Sequence, residues 1–103
     1  MANIEWTESA SGDLDEITEY IAFDNPEVAD RVNQRILDHV RQLEKHPQSG
    51  SFPPELERTD IRQIVEPPCR IFYKFDGKRI LILHVLRFER LLKIRRLENE
   101  KHD

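Results

Sequence analysis

Apolar residues recur through the first half of the chain at the spacing of a helix face. Ala10, Leu14, Ile17 and Ile21 follow one another at steps of four, three and four residues, which aligns them along one side of an α-helix. Thr7 precedes this stripe as a capping hydroxyl for amides at the helix start. The pattern predicts a helix ending near Asp24, where Asn25-Pro26 joins a capping side chain to the residue best suited to a first helical position. From there Ala29, Val32, Ile36, Val40 and Leu43 form a second stripe, closed by Pro47 and Gly50. Two helices joined by so short a link pack antiparallel, as a helical hairpin.

Periodicity then lapses. The stretch "PQSGSFPPELERTD" holds three of the six prolines and predicts a connecting loop. Beyond it "DIRQIVE", "CRIFYKF" and "RILILHVLR" are short and rich in β-branched and aromatic residues, and Asp76-Gly77 between the last two is a hairpin signal. They predict an antiparallel meander. An alternating segment around Ile4 and Trp6 adds a short strand ahead of the first helix. The order is β-α-α-β-β-β, an α+β domain in which an N-terminal helical hairpin packs on one face of a small antiparallel sheet. From Glu89 onward Leu91, Leu92, Ile94 and Leu97 stand among many charges, which predicts a short C-terminal helix or a mobile tail over residues 93–103. A chain of 103 residues with 38% hydrophobic content makes one domain.

Alternation in the middle strand of the meander sends Ile71, Tyr73 and Phe75 to one side, and Arg70, Phe72 and Lys74 to the other. With the helices on the apolar side, the second side is expected to be open. Arg62, Arg70 and the basic group of "VLRFERLLKIRR" would then gather guanidinium groups along it, suited to phosphates or carboxylates. Charge supports this picture. The net charge is -4, yet residues 1–61 hold 5 Lys/Arg against 14 Asp/Glu, whereas residues 62–103 hold 11 against 6. A basic part beside an acidic one points to an anionic partner met on one surface.

Other residues change the picture less. A single cysteine, Cys69, forms no internal disulfide and reads as a small buried hydrophobe; the four histidines lack metal-ligand spacing, so neither metal nor cofactor is expected. Trp6 reads as core and His84 as a hydrogen-bonded strand residue. Asp13, Asp15, Glu16 and Glu19 read as the solvated face of the first helix. No apolar run is long enough to span a membrane, and the acidic N-terminus is unlike a secretion signal, so the expected location is the cytoplasm.

The succession "IEWTESASGDLDEITEYI", "NPEVADRVNQRI", "HPQSG" and "IRQIVEPPCRIFYKFDGKRILILHVLRFERLL" resembles the RelE/ParE superfamily of type II toxin-antitoxin toxins over about residues 3–92. The resemblance implies a toxin neutralised by a cognate antitoxin. It also implies one of two targets, because RelE-like members cleave mRNA in the ribosome, whereas ParE-like members act on DNA gyrase without cutting RNA.

Cleavage by a ribose hydroxyl needs one group to take a proton, one to give it, and cations to steady the phosphate. By resemblance, Arg70 and Arg90 match the arginines on and after the sheet strands. The basic residues of RelE-like ribonucleases on the preceding strand fall here on Ile61 and Gln63, a common histidine falls on Arg87, and the terminal tyrosine falls near Arg96. Arginine is a poor proton shuttle, so a ribonuclease would have to rely on Arg70, Arg87, Arg90 and Tyr73, with Glu66 as a further candidate. Tyr73 has a packing role as its more ordinary use. Arg62, in "DIRQIVE", matches an arginine of ParE-like toxins. The reading preferred on these residues is a gyrase inhibitor that works by binding, its contacts to target or antitoxin made by Arg62, Arg70, Arg87 and Arg90 with Leu91 and Leu92. A ribosome-dependent ribonuclease and a non-toxic member that keeps antitoxin binding are the alternatives.

Overall fold

The structure is a computed structural model and describes residues 1–88. Its elements are β1 (Asn3–Trp6), α1 (Glu8–Asp24), α2 (Pro26–Gln42), β2 (Arg62–Glu66), β3 (Cys69–Phe75) and β4 (Arg79–Arg87). The expected α+β order is present, with the helical hairpin packed on a four-stranded sheet.

Both helices start where their caps stand. Thr7 Oγ1 accepts from Ala10 N at 3.0 Å and donates to Ile82 O at 2.8 Å, so one hydroxyl opens α1 and ties it to β4. Asn25 Oδ1 accepts from Glu27 N and Val28 N at 3.1 and 3.2 Å and opens α2, with Pro26 in its first turn. The two apolar stripes then face the sheet. Ala10, Leu14 and Ile17 of α1 and Val32, Ile36 and Val40 of α2 close over Ile64, Ile71, Tyr73, Ile80, Ile82 and Val85.

The last three strands form the expected antiparallel meander, and the sheet departs from the expected all-antiparallel arrangement in one respect. Strand order is β1-β4-β3-β2, and β1 runs parallel to β4, from Asn3 opposite Arg79 to Trp6 opposite Ile82, while the other pairs are antiparallel. The sheet is therefore mixed. The helical hairpin, β2 and β3 all intervene before β4 lies down beside β1, so the direction of that pairing is set by the route of the whole chain and not by either strand.

At the β3–β4 hairpin Gly77 has φ +98°, a left-handed conformation that favours glycine, and Asp76 Oδ1 accepts from Lys78 N and Arg79 N at 3.0 and 2.7 Å. Between Phe72 and Tyr73 the β3–β4 register shifts, Phe72 opposing His84 and Tyr73 opposing Ile82.

The second face of the sheet is not open, contrary to the expectation from strand alternation. Leu56 and Ile61, from the segment between α2 and β2, bury Phe72, Leu83 and Leu86 in a second apolar cluster. The apolar outer residues of β4 explain this cover. Leu83 and Leu86 would expose hydrocarbon to water if nothing lay on them, and Leu56 and Ile61 supply the contact.

Candidate functional site

The residues singled out for chemistry or binding separate across the fold. Arg62 lies opposite Tyr73 in the β2–β3 register, and Arg70 lies opposite Val65. Strand alternation therefore turns Arg62 and Arg70 to opposite sides of the sheet. Arg87, opposite Cys69 at the end of β4, stacks over the Tyr20 ring of α1 with 4.1 Å from Cζ to the ring centroid. The three guanidinium groups do not share one face. Arg90, Leu91, Leu92 and the expected tail over residues 93–103 lie outside the described residues.

Arg62 serves the chain itself. Its Nη1 donates to Gln48 O and Gly50 O at 3.2 and 2.9 Å, and its guanidinium lies 4.4 Å from the centroid of Phe52. Three carbonyl and aromatic partners from one loop fix the "PQSGSF" segment against β2. Tyr73 finishes the same anchor. Its fully buried hydroxyl donates to Pro47 O at 2.8 Å and accepts from Gly50 N at 3.0 Å. Burial pushes that hydroxyl above the ordinary tyrosine range, and both its hydrogen-bonding roles are used. Gly50 is required by the closeness of this packing, since a Cβ there would stand 2.6 Å from both the Tyr73 hydroxyl and Gln63 O.

Arg70 is held on the other side of the sheet. Its two terminal nitrogens meet Glu55 Oε2 and Oε1 at 2.6 and 2.8 Å, Nε donates to Gln63 Oε1 at 2.7 Å, and the guanidinium lies 5.0 Å from the Phe72 centroid. The bidentate pair draws Glu55 below the ordinary carboxylate range, chiefly through the Arg70 hydrogen bonds. Neither Glu55 nor Gln63 was singled out by sequence pattern. Glu55 sits in an aperiodic loop whose path a linear reading does not reveal, whereas Gln63 shares the outward parity of "RQIVE" with Val65 and so carried a detectable signal.

Asp13 is a correction. Read as part of a solvated face, it is only 6% exposed, and its Oδ2 lies 2.8 Å from His84 Nδ1 and accepts from Val85 N at 3.1 Å. The signal was present, because Asp13 falls three residues after Ala10 and beside Leu14, inside the apolar stripe. Glu66, the other proton-transfer candidate, places Oε1 3.1 Å from His39 Nδ1 of α2. Cys69 is fully buried, as a small hydrophobe would be.

A shallow groove of about 80 Å³ between α1 and the end of β4 is lined by Asp13, Glu16, Tyr20 and Arg87 among others. It brings Arg87 beside acidic residues of α1, away from Arg70. Among the described residues no helix is long and apolar enough to cross a membrane.

A family model described as the ParE toxin of the type II toxin-antitoxin system parDE matches residues 4–92. Among solved structures the chain is similar to one in the chromosomal ParDE TA system from P. aeruginosa, at 32% sequence identity and a TM-score of 0.71, covering 86% of this chain and 98% of that one. The comparison with curated proteins returns no match. Helical hairpin, mixed four-stranded sheet and the family match along nearly the whole length agree, and the chain belongs to the ParE toxin family of type II toxin-antitoxin systems.

Proposed function

We propose that this chain is the toxin of a ParDE-type pair, that a cognate antitoxin holds it in check in the cytoplasm, and that it inhibits DNA gyrase by binding it. The observation that carries this reading is the state of Tyr73. Buried, raised in pKa and hydrogen-bonded as both donor and acceptor, its hydroxyl is unsuited to move a proton for RNA cleavage. Arg70 and Arg62 are likewise engaged by Glu55 and by the Gly50 carbonyl, so neither stands ready to steady a scissile phosphate, which supports a protein that acts by binding without cutting RNA.

The test is a supercoiling assay with purified gyrase and the protein titrated in, run beside a ribosome-programmed mRNA cleavage assay. Loss of supercoiling with accumulated cleaved DNA, and intact mRNA, is the expected result. Cut mRNA with unaffected gyrase would replace the reading by a ribonuclease. Inactivity in both assays would leave a family member that binds antitoxin without toxicity.

A further inference from the structure

The seat of Arg70 is built before any partner arrives. Gln63 Oε1 holds Nε at 2.7 Å, the Phe72 ring lies 5.0 Å from the guanidinium, and the Arg70 side chain is only 11% exposed. These fixings come from β2 and β3, inside the sheet. The carboxylate that fills the seat comes from elsewhere. Glu55 belongs to the irregular segment between α2 and β2, is 36% exposed, and places both its oxygens on Arg70. The anchors of that segment are other residues, since Leu56 and Ile61 are buried under the sheet and Arg58 pairs with Asp60. Glu55 can therefore leave Arg70 without disturbing the packing that holds the segment down.

We propose that Glu55 is an exchangeable stand-in, and that the Arg70 seat is a carboxylate-binding site which an acidic protein segment takes over when it docks on this side of the sheet. The inference deepens the reading of the chain as a toxin held by a protein partner and rests on it. The resident ligand shows the chemistry the seat accepts. Two oxygens in one plane meet two terminal nitrogens, the fork-to-fork match of guanidinium with carboxylate. Gln63 Oε1 occupies the flank at Nε with an acceptor, which repels the additional oxygens of a phosphodiester and disfavours RNA.

Val65, the register partner of Arg70, is 46% exposed on the edge strand β2 and offers an apolar contact next to the charge. The partner segment thus carries an acidic side chain beside an apolar one. Exchange costs little, because a partly exposed ion pair contributes little over its solvated halves, and an arginine already fixed in its seat loses little freedom when the second carboxylate arrives.

Fluorescein-labelled hexaglutamate is the probe, with labelled hexauridylate as the RNA arm, both followed by anisotropy at low salt on the full chain. Glu55→Gln keeps the shape of the side chain and removes its charge; it is expected to bind hexaglutamate about fivefold more tightly than the parent. Adding Arg70→Ala should abolish that gain, with circular dichroism verifying that the double variant is folded. In the parent, NMR titration with hexaglutamate should move the Arg70 Nε–Hε signal and carry the Glu55 carboxyl carbon toward its free position.

Equal affinity of parent and Glu55→Gln overturns the proposal, and so does a gain that survives Arg70→Ala. A larger gain for hexauridylate overturns it too, by assigning the seat to RNA. Gyrase inhibition is scored separately on the same proteins, so failure of the toxin reading and failure of the exchange are told apart.

Discussion

Asp13 and His84, 71 residues apart in the chain, meet at 2.8 Å under α1, and the same carboxylate oxygen accepts the amide of Val85 at 3.1 Å. One acid thereby joins the helix to β4 beside the register shift, where the strand's regular pairing is disturbed. Its burial is tolerated because it is fully engaged.

Replacing Asp13 by alanine leaves the Val85 amide and the His84 ring without that acceptor. Asp13→Ala is expected to cost about 1–3 kcal/mol of stability, measured by urea unfolding. Asp15→Ala, on the exposed side of the same helix, should stay within about 0.5 kcal/mol of the parent.

The anchor at Tyr73 separates structure from catalysis. Tyr73→Phe removes one buried hydroxyl and leaves the Gly50 amide and the Pro47 carbonyl unmatched, a loss of about 1–3 kcal/mol in the same assay. Gly50→Ala should also destabilise, by about 1–3 kcal/mol, since its methyl must displace the Tyr73 hydroxyl or Gln63 O. Below its unfolding midpoint Tyr73→Phe is expected to match the parent in the supercoiling assay that tests the proposed function. A proton-transfer residue would instead lose about a hundredfold or more in activity.

Acid should release the Glu55 clamp in a defined order. Arg70 holds the folded-state pKa of Glu55 below its ordinary value, so the unfolded chain binds this proton more readily than the folded one. The contribution of the pair is complete above the ordinary glutamate pKa and is lost as pH falls through the lower folded value. Solvent at the pair keeps the effect on global stability small. A carbon-detected NMR titration should place the Glu55 midpoint below that of a free glutamate, and Arg70→Ala should bring it back up.

Two glycines predict opposite signs. Gly77 has φ +98° at the β3–β4 turn, so Gly77→Ala should destabilise by about 1 kcal/mol. Gly12 lies exposed within α1, and a Cβ there would meet nothing within 4 Å. Gly12→Ala should stabilise by about 0.5–1 kcal/mol through helix propensity. Thermal melts of the two variants against the parent decide both.

The local features of this fold were legible because each is decided within a few residues. The stripes from Ala10 to Ile21 and from Ala29 to Leu43, the caps at Thr7 and Asn25, and the Asp76-Gly77 turn all depend on neighbours in sequence. The parallel pairing of β1 with β4 was not legible, since it depends on a partner some seventy-five residues away. The site was read less well for the same reason. Parity along "CRIFYKF" separated Arg70 from Tyr73 correctly, but whether Arg62 shared the side of Arg70 depended on the β2–β3 register, which puts Arg62 opposite Tyr73 instead. The cover supplied by Leu56 and Ile61, and the carboxylate of Glu55, come from a loop whose path obeys no periodicity.

The position of β1 also governs when the domain is complete. Residues 3–6 leave the ribosome before the helices and the other strands, yet their partners are residues 79–82, and Thr7 caps α1 while bonding to the carbonyl of Ile82. A nascent chain can form its helical hairpin early, but its first strand stays without a sheet until nearly all of the described domain has emerged. A transcript broken before the β4 codons therefore yields a helical hairpin and a β2–β3 pair with nothing to join β1 to them. Synthesis through β4 is thus a condition for completing the sheet.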